Sequence, residues 1–207
     1  MLQLGVWQGG TMKFITVIVT AVVALFAPGD ARAATLKVVN VNAPAVNCVF
    51  DPGCKIVVSD TVGNLTFMPL GAGARLQSRT FAAKAGTPAA GKTGYLYRVD
   101  LTNGAGFTEC TAGLVINFGP VASLPYVQNS QADVFVITTG GLGSIGLKSA
   151  EQDGDVITFT FSDYLCAGKT SFFFGLAATK PPVATTATLF GMGEPAFVQV
   201  NARAPQH

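Results

Sequence analysis

Beyond Ala33, apolar and polar side chains alternate with a period of two through most of the chain, and this alternation predicts strands. Tyr95, Tyr97, Val99 and Leu101 alternate with Leu96, Arg98, Asp100 and Thr102, the pattern of a strand with one buried and one wetted face. Ile157, Phe159 and Phe161 alternate with Thr158, Thr160 and Ser162 in the same way. Further strands are predicted over residues 36–41, 55–60, 64–70, 76–82, 114–118, 133–139, 170–176, 186–190 and 197–200. Within 170–176 the run Phe172-Phe173-Phe174-Gly175-Leu176 is continuously apolar, as in a central strand buried on both faces. No stretch holds a helical period. About eleven short strands separated by Gly, Pro, Asn and Asp clusters predict an all-β chain, an antiparallel β-sandwich of jelly-roll or immunoglobulin-like kind. Residues 83–92, 120–131 and 178–184 read as loops, none of linker length, so residues 34–207 read as one domain.

The N-terminal pattern is different. Met12-Lys13 precedes an unbroken apolar run from Phe14 to Ala27, closed by Pro28-Gly29-Asp30 and Ala31-Arg32-Ala33. A basic start, an apolar core and an A-x-A site predict a signal peptide over 12–33 with cleavage after Ala33. The run is short of the roughly 20 apolar residues that a membrane span needs. No membrane span is expected after cleavage. Residues 1–11, which carry Trp7, the only Trp, read as an upstream extension.

Export changes the reading of the cysteines. Cys48, Cys54, Cys110 and Cys166 all follow Ala33, and an even number in an exported chain predicts two disulfides. Asp51-Pro52-Gly53 has the chemistry of a turn that returns Cys54 to Cys48, which leaves Cys110 for Cys166. A single His and the absence of C-x-x-C spacing argue against zinc.

Composition narrows the function classes. Forty-nine per cent hydrophobic residues with 24 Gly and only 12% charged residues exclude wholesale disorder. Thirteen basic residues against eleven acidic ones, a net charge of +2, give no electrostatic case for nucleic acid. His207 is the one histidine, so no Ser-His-Asp arrangement is expected.

Three patterns match known chemistry by spelling. Gly86-Thr87-Pro88-Ala89-Ala90-Gly91-Lys92-Thr93 spells a phosphate loop, but the chemistry needs a helix next and a strand is predicted there. Gly141-Leu142-Gly143-Ser144-Ile145-Gly146 spells a dinucleotide fingerprint, but no long helix can follow before Glu151; the glycines are expected to allow positive φ at a sheet corner. Glu151, Asp153 and Asp155 place alternate carboxylates at a turn and are the candidate calcium ligands, although no EF-hand spacing is present. No other cofactor is expected. Asn64-Leu65-Thr66 is a glycosylation sequon inside a predicted strand.

The segment 166–174, with 133–141 upstream, resembles the closing part of uncharacterised secreted bacterial β-sandwich proteins that often carry a C-terminal surface-sorting segment. The chain departs from that pattern at 198–207, which has no hydrophobic tail. The resemblance implies a fold and a location and carries over no catalytic residue. The expectation is therefore a non-catalytic, exported cell-surface or extracellular-matrix protein with a structural, adhesive or binding role towards a surface glycan or protein. One alternative is a pilin-like fibre subunit that self-associates by donating residues 34–41 as a strand. A second is an extracellular carbohydrate-active hydrolase, for which Asp133, Glu151, Asp153, Asp155 and Asp163 are the acids to test.

Overall fold

The alternating segments pair into two six-stranded sheets. The structure, a computed structural model, describes residues 33–67, 70–103, 110–127, 130–192 and 197–207. The upstream extension, the expected signal peptide up to residue 32 and the stretch 104–106, one of the glycine-bearing clusters expected between strands, lie outside the described residues. The first sheet runs in the order β1 (Ala34–Thr35), β10 (Leu147–Asp153), β11 (Val156–Leu165), β6 (Cys110–Asn117), β13 (Pro182–Met192) and β14 (Phe197–Pro205). The second runs β2 (Val38–Asn42), β9 (Val134–Thr139), β12 (Phe173–Ala178), β5 (Thr93–Asp100), β4 (Leu70–Ala82) and β3 (Ser59–Phe67). Strands β7 (Leu124–Val127) and β8 (Ser130–Ala132) form a separate hairpin. The architecture is the expected all-β sandwich.

Its principal core lies between the sheets. Tyr95, Tyr97, Val99, Val136, Phe174 and Leu176 of the second sheet pack with Leu114, Ile116, Ile157, Phe159, Leu189 and Ala202 of the first. Phe159 and Phe174 meet with ring centroids 4.9 Å apart. A second core covers the other face of the second sheet, where Phe81, Leu96, Phe135, Ile137 and Phe173 pack with Val46, Val49, Phe50, Ala89 and Leu124. Central strands of that sheet are thus buried on both faces, which agrees with the continuous apolar reading of Phe172–Leu176. It corrects the half-wetted reading of β5, whose residues from Gly94 to Asp100 are all buried.

The cover over this second core was not expected from periodicity. Its main piece is a helix, α1 (Ala43–Phe50). The Asn42 side chain caps it by accepting the Ala45 N–H at 2.7 Å, and Pro44 fits the first turn. Two turns are too short for a helical period to emerge from the sequence. Residues 83–92 form the next piece and are fastened rather than loose: Lys84 and Ala89 donate to the carbonyls of Phe50 and Val49. The third is the β7–β8 hairpin, in place of the loop expected over 120–131.

Other boundaries also move. The strand expected at 55–60 begins only at Ser59 and continues to Phe67; that expected at 76–82 belongs to a longer strand from Leu70. Paired edges lengthen strands past their apolar stretches, as in β13, where Pro182 to Phe190 align with Pro205 to Phe197. Thr170 and Ser171 make only isolated bridges before β12 begins at Phe173. One pairing departs from the antiparallel expectation: β2 runs parallel to β9. Residues 34–42 supply β1 to one sheet and β2 to the other, so a single crossing of the chain links the two sheets at one side. At the opposite side Arg203 donates from Nε to Thr61 and from its main-chain N–H to Ser78, each at 3.0 Å.

Candidate binding face

The outer face of the second sheet carries the densest charge chemistry among the described residues. Because side chains alternate along a strand, Arg75, Gln77 and Arg79 of β4 share that face with Arg98 and Asp100 of β5. Register sets Arg75 opposite Asp100 and Gln77 opposite Arg98. Asp60 of β3 stands opposite Arg79. The pairs close accordingly: Arg79 Nε lies 2.8 Å from Asp60, Arg75 Nε 3.3 Å from Asp100 and Arg98 Nη2 3.0 Å from Asp100. Gln77 Nε2 donates to Asp60 at 3.2 Å.

Three guanidinium groups meet two carboxylates here. The Arg75, Arg79 and Arg98 side chains are 49%, 29% and 10% exposed, so the face grades from open to closed towards β5. Phe173 anchors the closed end, with the guanidinium carbons of Arg79 and Arg98 at 4.5 and 5.2 Å from its ring centroid. Burial pushes the Arg98 pKa down; Asp100 opposes this, and the positive charges of Arg75 and Arg79 add to it. Asp100 is pushed up by burial, but hydrogen bonds from Thr102 and the Arg98 charge outweigh that and hold it below the usual carboxylate value. Among the described residues the buried Arg98 Nε has no hydrogen-bond partner.

The residues singled out by sequence fall elsewhere. Cys48 bonds Cys54 across the end of α1, with Cα atoms 4.1 Å apart. Cys110, which opens β6, bonds Cys166, just past β11, with Cα atoms 4.2 Å apart. Both pairs are those the spacing predicts. Glu151 and Asp153 point from alternate positions of β10, and Asp155 sits in the turn to β11; all three are exposed. Among the described residues no three His, Cys, Asp or Glu side chains gather where one ion could be held. Asp133 accepts from the Lys37 N–H at 2.8 Å and from the Ser123 hydroxyl. Asp163 faces Lys169 at 3.7 Å on the surface. His207 is exposed beside Gly119.

Residues 86–93 lead directly into β5, and no helix follows them. In the 141–146 segment only Gly143 takes a positive φ, 121°, where its backbone approaches Ser171; Gly141 and Gly146 do not, and the neighbouring Gly140 does. Asn64 pairs with Arg75 in the β3–β4 ladder. Residues 34–41 are already built into sheet edges of their own chain.

Sequence reasoning missed the arginine face. Its signal was present: Arg75, Gln77 and Arg79 at even spacing, and Arg98 two residues from Asp100, on strands whose other positions are apolar. Among the described residues no helix is long and apolar enough to cross a membrane. Comparison with protein-family models, with curated protein sequences and with solved structures finds no match.

Proposed function

We propose that the chain is a non-catalytic binding module that works outside the cytoplasm, attached by recognition to a surface or matrix glycan. The observation that carries this reading is the outer face of the second sheet, where Arg75 and Arg79 are held in fixed register at the open end and Arg98 at the closed end. A polar face on a rigid strand scaffold, graded from a buried anchor to exposed tips, suits recognition. The compartment rests on the two disulfides, which persist in oxidising surroundings, and on the signal-like segment 12–33.

The placement of residues 34–41 bears on the fibre alternative. Donating that segment would require the molecule to release a strand from each of its sheets and to expose Leu36 and Val41, both buried. The acids of the hydrolase alternative are spread over separate surface turns and strand edges.

The test is retention of exported protein on a panel of immobilised polysaccharides, with sizing by ultracentrifugation and assay for released sugars. Retention by a monomer that releases no sugar supports the proposal. Failure to bind any polysaccharide overturns it. Multimers that vanish on deletion of residues 34–41 would replace it with the fibre, and sugar release would replace it with the hydrolase.

A further inference from the structure

We propose that the outer face of the second sheet, at Arg75, Arg79 and Arg98, takes a carboxylate-bearing saccharide, specifically successive uronate groups of an acidic polysaccharide. This rests on the binding reading above and names its ligand class. The first argument is charge. Asp60 and Asp100 neutralise two of three clustered guanidinium groups, and a third anion would complete the set.

The second argument is donor capacity. A guanidinium carries five N–H donors in a planar fork that matches the two oxygens of a carboxylate. Arg75 Nε donates to Asp100, Arg79 Nε lies 2.8 Å from Asp60, and the two side chains stay 49% and 29% exposed, so donor capacity of both forks remains within reach of solvent. The Phe173 ring holds the Arg79 and Arg98 guanidinium carbons at 4.5 and 5.2 Å from its centroid, so less freedom is lost on binding.

The remaining groups select a sugar acid over other polyanions. Asp60 is partly exposed, and the Gln77 carbonyl oxygen is not used by the contact that Gln77 makes through Nε2. Both can accept from hydroxyl groups, which saccharides supply and a phosphodiester backbone largely lacks. A nucleic acid is held chiefly by many phosphate contacts, and the chain's net charge of +2 offers it little steering. Spacing then favours a polymer. Arg75 and Arg79 stand four residues apart on one strand, roughly 13 Å, too far for one carboxylate and suited to carboxylates along a chain.

The experiment measures binding of exported protein to polygalacturonate and to alginate, to the same polymers after reduction of their carboxyl groups, and to monomeric galacturonate. It compares the wild type with R75Q/R79Q and, as a basic control on the first sheet, with Lys148→Gln. Unfolding midpoints confirm that each variant is folded; single R75Q and R79Q variants replace the double one if it is not. The expected result is binding to at least one polyuronate, at least tenfold weaker binding to its reduced form and to the monomer, and at least tenfold weaker binding by R75Q/R79Q, with K148Q unchanged. Failure of the wild type to bind either polyuronate overturns the inference, as does undiminished binding by the arginine variants. Equal binding to the reduced polymers overturns the acid assignment while leaving the glycan-binding reading intact.

Discussion

The Tyr97 hydroxyl donates to the main-chain carbonyl of Arg203 across 2.6 Å. This bond joins β5 of the second sheet to β14, the edge strand of the first. Tyr97 is fully buried, and its ring also lies against Phe159 and Phe174. Tyr97→Phe keeps those ring contacts and removes only the hydroxyl. It should destabilise the fold by about 1 kcal/mol, read as a lower urea midpoint with an unchanged slope.

The same burial makes a prediction at high pH. Tyr95 is pushed up to about 12 by burial, and burial likewise pushes Tyr97 well above its ordinary value of 10.0. Both groups keep their protons in the folded state after the unfolded chain has begun to lose them. Folding is therefore fully supported below pH 10 and weakens as pH rises through the folded values. Unfolding midpoints measured between about pH 9 and pH 12 should fall, and Y97F should flatten part of that fall. A flat profile in the wild type would contradict the burial of these hydroxyls.

The two disulfides should contribute unequally. Cys110–Cys166 spans 56 positions and Cys48–Cys54 only 6. In the chain-entropy account the longer loop is worth about 4 kcal/mol and the shorter about 2. Cys110→Ala with Cys166→Ala should therefore lower the unfolding midpoint clearly more than Cys48→Ala with Cys54→Ala. Non-reducing peptide mapping fixes the pairing itself; a peptide joining either of the first two cysteines to either of the last two would refute it.

Acid should loosen the cover of the second core before the sandwich. The Asp51 carboxyl is held below its usual value of 3.8 by Lys84 and by the Gly53 N–H. That bond ties the turn after α1 to residues 83–92. A lowered folded value means its stabilisation is present above about pH 4 and fades as pH falls through the folded value. Protection of the Lys84 and Ala89 amides from hydrogen exchange, relative to the intrinsic rate at each pH, should fall below that point, and Lys84→Gln should weaken this pH dependence. Exchange that responds to acid equally in K84Q would remove the ion pair as the cause.

Gly94 should resist substitution. Its missing side chain leaves the site filled by the Phe81 ring, which in turn stacks edge-on against Phe50 at 4.8 Å. Gly94→Ala forces that ring out of place and should cost about 1–3 kcal/mol. Adding Phe81→Leu should recover part of the loss, because a smaller, more adaptable side chain makes room. A neutral Gly94→Ala would mean that the second core is loosely packed.

Strand existence was legible because period two is a local property. Ile157, Phe159 and Phe161 had to face one side together, and they do, within the principal core. The disulfide pairing was legible because a short turn can close on itself without help from the rest of the fold. Residues 120–131 misled because the β7–β8 hairpin has little apolar alternation of its own and is held by Leu124 and Ala132 in the second core. The arginine face was hidden for a related reason. Arg98 and Asp100 look like the wetted half of a strand, and only the neighbours reached across the sheet, Arg75, Arg79 and Phe173, show that they are largely covered.

By itself, then, the sequence determined the alternating strands, the turns between them and the cysteine pairs, all of which depend on residues near one another or on composition. Tertiary structure alone decided which strands became neighbours, that residues 34–42 serve both sheets, and that the central strands of the second sheet are buried on both faces. Those outcomes depend on long-range pairing, where backbone hydrogen bonds are chemically identical and only packing between distant side chains selects the partner. The arginine face belongs to this second kind. Its residues come from β3, β4, β5 and β12, and no local pattern brings them together.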